Sequence, residues 1–134
     1  MDIAAINRKV IEQFRAGGEI EGMHRDRLLL LTTVGNKSGQ RHITPLMYER
    51  DGDRLLVMAS SAGAPKAPDW YRNLVADPHV TVEIGDETFA ALAVVTNGED
   101  RERLWAMITK RNPFFVDHQA KAGREIPVVA LERA

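Results

Sequence analysis

The chain has 134 residues, the size of one domain, with 44% hydrophobic and 28% charged residues, which excludes a disordered chain. It contains no cysteine, which excludes disulfides, thiolate metal sites and cysteine nucleophiles. No apolar run reaches the roughly 18 residues of a membrane-spanning helix, and the formal net charge of −1 gives no reason to expect nucleic acid. We therefore expect a cytoplasmic protein with a single domain over residues 1–134.

The first predicted element is an amphipathic helix over residues 2–16, within an N-terminal segment 1–18 that Gly17-Gly18 ends. Its apolar residues recur at spacings of three and four: Ile3, Ile6, Val10 and Phe14. The pattern predicts a helix that packs on the core or closes one end of a barrel. Its basic residues leave open a second interpretation, in which the helix binds a membrane surface peripherally or contacts a partner.

Six strands follow, and two tight turns, Asp51-Gly52 and Gly85-Asp86, predict hairpins. The predicted strands are Leu28–Val34, Arg41–Arg50, Arg54–Ser60, Val80–Ile84, Thr88–Val95 and Pro127–Leu131. Helices are predicted over Pro68–Ala76, Glu99–Lys110 and Phe114–Lys121. The first three strands are too close together for crossover helices, so we expect an antiparallel sheet that closes into a barrel.

The stretch from Thr32 to His42 has the composition of an anion-binding loop. Glycines allow close approach of a ligand, Lys37 adds a charge, Ser38 adds a hydroxyl, and Arg41 offers a fork that suits phosphate. Between residues 23 and 48 there are four Lys or Arg residues against one acid, a local charge of +3. A hairpin loop with ordinary surface charges is the alternative.

Two later stretches also carry candidate ligand groups. Residues 59–74 form a loop of small residues and prolines that enters a helix, where helix N-termini favour anions and Trp70 offers a flat ring. Residues 112–119 place aromatic, amide and imidazole groups on one short helix, with Phe115 and His118 on the same face. Ordinary core packing of both helices is the alternative.

The histidines lack metal-binding spacing, and no nucleophile elbow or dinucleotide fingerprint is present. We therefore expect no metal. A chain with two candidate cofactor loops and no evident nucleophile is best matched to chemistry that a bound cofactor supplies.

Four motifs together resemble the deazaflavin-dependent nitroreductase family, the F420-dependent oxidoreductases. They are Leu-Leu-Thr-Thr-Val-Gly-Asn-Lys-Ser-Gly-Gln, Thr-Pro-Leu-Met-Tyr, Gly-Ala-Pro-Lys-Ala-Pro-Asp-Trp-Tyr-Arg-Asn-Leu and Ile-Pro-Val-Val-Ala-Leu-Glu. The resemblance runs over residues 28–131 and implies an α+β, mainly β, split β-barrel of the FMN-binding type. It also implies coenzyme F420 as the cofactor, with its phosphate and oligoglutamate tail at the basic loop.

The resemblance implies a set of cofactor-binding residues: Lys37, Ser38, Gly39, Arg41, His42, Thr44, Pro45, Met47, Ser60, Ser61, Lys66, Trp70 and Asn73. It also implies a hydride-acceptor site formed by Met47, Asn112, Phe115 and His118. Two departures stand out. The family often has Pro-Arg where this chain has Arg41-His42, and nitroimidazole-activating members carry tyrosines at the acceptor positions.

The activity implied is hydride transfer from reduced F420 to an electron-poor small molecule, such as a quinone, an activated enone or a nitroaromatic. Tyr48 and His118 are the candidate proton donors. An FMN-dependent oxidoreductase on a related barrel and a non-catalytic cofactor-binding module are the alternatives. Both a monomer and a homodimer remain open.

Overall fold

The structure is a computed structural model that describes residues 3–17, 25–60 and 63–134. It contains helices α1 (Ile3–Ala16), α2 (Asp69–Ala76), α3 (Gly98–Arg111) and α4 (Phe114–Ala122), and a 3₁₀ turn over Arg25–Arg27. The strands are β1 (Leu28–Val34), β2 (Arg41–Met47), β3 (Glu49–Asp51), β4 (Arg54–Met58), β5 (His79–Ile84), β6 (Glu87–Val95) and β7 (Val128–Arg133).

Within these ranges the strands form one antiparallel sheet in the order β2-β1-β5-β6-β7-β4-β3. β2 and β3 are consecutive in the chain but lie at opposite ends of this order. The sheet therefore curls, which brings β2 close to β4, and it forms an open barrel.

The predicted strand Arg41–Arg50 is two strands, because the chain breaks at Tyr48. The Tyr48 backbone N–H donates to the Arg27 carbonyl at 3.3 Å, and its hydroxyl donates to the Asp26 carbonyl at 2.9 Å. The break lets the chain leave β1 and pair with β4. The prediction of six strands was wrong at this position, and the sheet has seven.

The barrel is filled by alternate residues of its strands. On β1 and β4, Leu29, Leu31, Leu55 and Val57 point into the interior, where Trp70 of α2 joins them. The interleaved residues face outward. Leu56 and Met58 pack under α3 and α4, and Leu28 and Leu30 pack under Val10 and Phe14 of α1. Both faces of these strands are buried, which explains their continuous apolar sequence.

Helix α1 thus contributes core residues, as one of the two sequence interpretations expected. Its Arg15 side chain pairs with Glu83 of β5, with Nη2 and Oε2 2.9 Å apart. Ile6 is 41% exposed and does not join this core. Val10, Phe14 and Arg15 thus attach the second half of α1 to the barrel.

Candidate functional site

The basic loop, residues 35–40 between β1 and β2, is a closed turn. The Gly35 N–H donates to the Gln40 carbonyl at 2.7 Å, and the Gly39 N–H donates to the Gly35 carbonyl at 2.9 Å. The Gln40 N–H also donates to the Ser38 hydroxyl oxygen at 3.2 Å. Gly39 has a φ of +69°, a conformation that glycine adopts without strain. The turn is set by these contacts without help from a ligand.

Asn73 of α2 fixes this loop to the barrel. Its Oδ1 accepts the Asn36 backbone N–H at 3.1 Å, and its Nδ2 donates to the Thr33 hydroxyl at 3.3 Å. Asn73 is only 5% exposed, and its bond to Thr33 is buried, whereas its bond to the exposed Asn36 is partly buried. Its amide positions the loop through contacts within the chain.

Gly35 leaves no space for a side chain. A Cβ built there would lie 2.5 Å from Ser38 Oγ and 2.8 Å from His42 Nε2. The Ser38 and His42 side chains can approach each other, Oγ to Nε2 at 3.5 Å, only because residue 35 is glycine. The close approach gathers a hydroxyl and an imidazole at the mouth of the loop.

A cleft of about 620 Å³ opens between the basic loop, β2 and the start of α2. We call it the loop cleft. Six residues predicted to bind cofactor line it: Lys37, Ser38, His42, Thr44, Trp70 and Asn73. The sequence prediction did not include the other six: Asn7, Gly35, Asn36, Ile43, Asp69 and Arg72.

The donors at this cleft fit a phosphate group. Lys37 is exposed and has no ion-pair partner among the described residues. The backbone N–H groups of Lys37 and Ser38 also have no acceptor among the described residues. Two successive N–H groups without an acceptor, beside a lysine and a hydroxyl, are a donor set of the kind that can hold an anion. The phosphate of a flavin-type cofactor is a group that such a donor set holds.

The +3 charge of residues 23–48 is not concentrated here. Arg27 lies at the other end of β1, about 20 Å away by strand length, where it pairs with Glu49 at 3.4 Å. Arg72, from outside that stretch, brings a second cation to the loop cleft, paired with Asp69. The prediction of a local anion site agrees with the geometry of the loop, but the charge count that supported it included a distant arginine.

The predicted cofactor-binding residues of β2 are divided by position: His42 and Thr44 line the loop cleft, together with Ile43 between them, and Arg41, Pro45 and Met47 do not. His42 pairs with Thr33 of β1. Of the two residues that replace the family's Pro-Arg pair, His42 is therefore the one placed at the cleft.

The connecting loop, residues 59–68 between β4 and α2, holds three further candidates. Ser60 is 8% exposed, Lys66 is exposed, and Ser61 lies outside the described residues. Arg124 spans the described part of this loop and donates to the carbonyls of Ala59, Ser60, Ala64 and Lys66 at 3.1 to 3.4 Å. Sequence reasoning missed Arg124, because it lies more than fifty residues along the chain.

The candidate acceptor residues are mostly inside the protein. Phe115 is 4% exposed and packs in the core under α4, so a planar acceptor cannot stack on it in this conformation. Asn112 is 3% exposed, and its amide donates to Glu49 at 2.8 Å and accepts from Arg27 at 2.8 Å. His118 is partly exposed, and its buried Nδ1 has no partner among the described residues.

Tyr48 lines a different cleft, of about 630 Å³, together with Asp26, Arg50 and the β5–β6 turn. Met47, the remaining acceptor candidate, packs against the core under α3 and α4. The structure therefore does not bring Tyr48 together with the loop cleft, and it does not bring the four acceptor candidates into that cleft.

An antiparallel sheet of this topology, curled around one core and covered by helices outside, is a split-barrel-like fold. Comparison with known proteins makes the assignment specific. The profile of the F420H(2)-dependent quinone reductase family matches residues 6–133. The chain belongs to this family of oxidoreductase enzymes, whose cofactor is coenzyme F420, and the fold and cofactor expected from the resemblance are confirmed.

Individual relatives agree. An F420H(2)-dependent quinone reductase of Mycobacterium tuberculosis is 41% identical over 108 residues, which cover 78% of this chain and 72% of the relative. The solved structure of the F420-H2 dependent reductase FDR-A is 36% identical with a TM-score of 0.73, over 83% of this chain and 100% of that one. A structure described as a domain-swapped dimer is 34% identical with a TM-score of 0.75, over 93% and 96%.

Proposed function

We propose that this protein oxidises reduced F420 and passes the hydride to a quinone. The observation that carries the proposal is the loop cleft of about 620 Å³, which is lined by Lys37 and Ser38, two residues whose backbone N–H groups have no acceptor among the described residues. The names of the relatives favour a quinone among the acceptors considered. Activated enones and nitroaromatics are further acceptors of the same electron-poor class.

The cofactor's phosphate would be held by Lys37, Ser38 and the backbone of the basic loop, with His42 beside them. The tail carboxylates would find Arg72 at the same cleft. Thr44, Trp70 and Asn73 line the cleft beyond the loop, and Ser60, Ser61 and Lys66 of the connecting loop would contact the rest of the cofactor. Gly39 shapes the turn, while Arg41, Pro45 and Met47 of β2 remain predicted contacts outside the loop cleft.

When bound, the deazaflavin supplies the hydride from its ring carbon. The protein's part is to align the acceptor with that ring and to exclude water. His118 is favoured over Tyr48 as proton donor, because its ring is partly exposed, whereas the Tyr48 hydroxyl already donates to the Asp26 carbonyl. Asn112 and Phe115 are buried, and they would support the walls of the acceptor site without contacting the acceptor.

Turnover tests this proposal. Purified protein with reduced F420 and menadione should restore the absorbance of oxidised F420 at a rate proportional to protein concentration. Stoichiometric binding of F420 without turnover would support the non-catalytic binding module instead. A yellow protein that shows flavin absorbance bands and neither binds nor oxidises reduced F420 would support the FMN-dependent alternative.

Location and assembly are also proposals. None of the helices in the described residues is long and apolar enough to cross a membrane. We propose that the protein works in the cytoplasm, with peripheral membrane contact through the exposed part of α1 as an open alternative. Flotation with vesicles tests the contact, and light scattering after size exclusion distinguishes a monomer from a homodimer.

A further inference from the structure

Arg124 makes a concentrated set of contacts outside the loop cleft. Its Nη2 donates to the carbonyl oxygens of Ala59 at 3.1 Å, Ser60 at 3.4 Å and Lys66 at 3.3 Å, and its Nε donates to Ala64 at 3.3 Å. A guanidinium has a rigid, planar set of donors, so one side chain can hold several carbonyls at fixed positions. A lysine would hold fewer.

These contacts also orient the peptide units of the connecting loop. In a trans peptide the carbonyl and the following N–H point in opposite directions, and the described residues contain no cis bond. The carbonyls of Ala59 and Lys66 face Arg124, so the N–H groups of Ser60 and Ala67 face away from it. Neither N–H has an acceptor among the described residues.

A glycine sets the distance between the same loop and α4. Gly63 has a φ of +85°, and a Cβ there would lie 3.2 Å from the His118 carbonyl oxygen and 3.1 Å from Lys121 Cδ. The loop therefore lies so close to the helix that a side chain at Gly63 would force its neighbours to move by a few tenths of an ångström. Arg124 follows Gly123, the left-handed residue that ends α4, and so both contacts come from one end of that helix.

We propose that Arg124 is a positioning residue that holds the described residues of the connecting loop, 59–60 and 63–68, in a cofactor-binding shape. Its side chain contacts backbone carbonyls of that loop and does not line the loop cleft. It acts through the loop, by presenting Ser60, Lys66 and the free backbone N–H groups in a fixed arrangement. This proposal rests on the proposed function, since it assigns the loop to F420.

The test compares Arg124→Ala and Arg124→Lys with Arg133→Ala. Arg133 is a matched control, because it pairs with Glu87 and stacks on Phe89 at 3.9 Å, away from both loops. We expect Arg124→Ala to raise the F420 dissociation constant about tenfold or more. The dissociation constant of Arg124→Lys should lie between that of Arg124→Ala and that of the wild type. The dissociation constant of Arg133→Ala should equal that of the wild type. In the apoprotein, Arg124→Ala should speed hydrogen exchange at the N–H groups of Ala59 and Gly63, which have backbone acceptors, and leave exchange in residues 35–40 unchanged.

Gly63→Ala provides a second route if Arg124→Ala fails to fold. Its Cβ would push the loop away from α4, so we expect weaker F420 binding with Arg124 intact. Unchanged F420 affinity in Arg124→Ala would overturn the proposal and leave the proposed function standing. If Arg124→Ala does not fold, unchanged F420 affinity in Gly63→Ala would have the same meaning. A wild-type protein that binds no F420 would overturn both.

Discussion

Lys37 has a clear role at the scale of single residues, because its charge has no partner among the described residues. Loss of a charge-assisted phosphate contact costs about 1.5–3 kcal/mol, roughly ten- to a hundredfold in affinity. Lys37→Ala should therefore weaken F420 binding by that factor and leave the melting temperature of the apoprotein nearly unchanged. Lys110→Ala, an exposed lysine on α3, is the control. A less stable variant with normal affinity would make Lys37 a structural residue.

Substitutions of Phe115 and His118 should have different effects, the first on stability and the second on catalytic efficiency. Phe115 is 4% exposed, and removing a buried phenylalanine ring costs about 3–5 kcal/mol. Phe115→Ala should therefore lower stability in urea unfolding. His118→Ala should instead change the catalytic efficiency differently for menadione, an enone and a nitroimidazole, with F420 affinity unchanged. Equal efficiency on all three acceptors would show that His118 only packs.

Residue types were easier to predict than the partners they would find. The sequence indicated Asn73 and Asn112 as amides near a ligand, and both are buried and bonded within the chain. Their partners, Asn36 and Glu49, lie 37 and 63 residues away along the chain. Only the folded barrel brings such pairs together, so no local pattern could have indicated them.

At the scale of elements, four charged residues fasten the β3–β4 hairpin to α3. Arg54 contacts Asp51 at 2.6 Å and Asp100 at 3.1 Å, and Arg103 contacts the same two carboxylates at 2.9 and 3.2 Å. Hydrogen bonds from Arg103 and Arg54 hold the pKa of Asp51 well below its ordinary value, and Arg54 lowers the pKa of Asp100. Both carboxylates are therefore more acidic in the folded chain than in the unfolded one.

This network should make stability depend on pH. A lowered folded pKa adds stability above the unfolded pKa, near about 4, and that stability is lost as the pH falls toward the folded pKa. The stability difference between wild type and Asp51→Asn should be largest above about pH 5 and shrink below about pH 4. Urea unfolding at several pH values measures it. A difference that stays constant with pH would contradict this role.

Hairpins were predictable, and the break between β2 and β3 at Tyr48 was not. Asp51-Gly52 and Gly85-Asp86 are turns whose chemistry is local, and the strands on both sides of each pair as expected. The break at Tyr48 depends on the carbonyls of Asp26 and Arg27, some twenty residues earlier. The sequence there reads as a continuous strand, since Glu49–Asp51 remains extended.

At the scale of the whole molecule, the core inside the barrel draws on α2 and on strands from both ends of the chain. We therefore propose that residues 1–134 unfold as one cooperative unit, with the barrel of residues 28–131 at its centre. Thermal transitions followed by near- and far-ultraviolet circular dichroism should coincide. Two separate transitions would indicate that α1 or the helices over β7 unfold independently.

The central claim is that the loop cleft binds F420, and titration of the purified apoprotein with F420 and FMN at two salt concentrations tests it most directly. F420 carries several negative charges and FMN carries a single phosphate, while Lys37 and Arg72 are both at the cleft. We predict that F420 binds more tightly than FMN and that its affinity falls as salt rises. Equal or tighter binding of FMN, with no dependence on salt, would contradict the account.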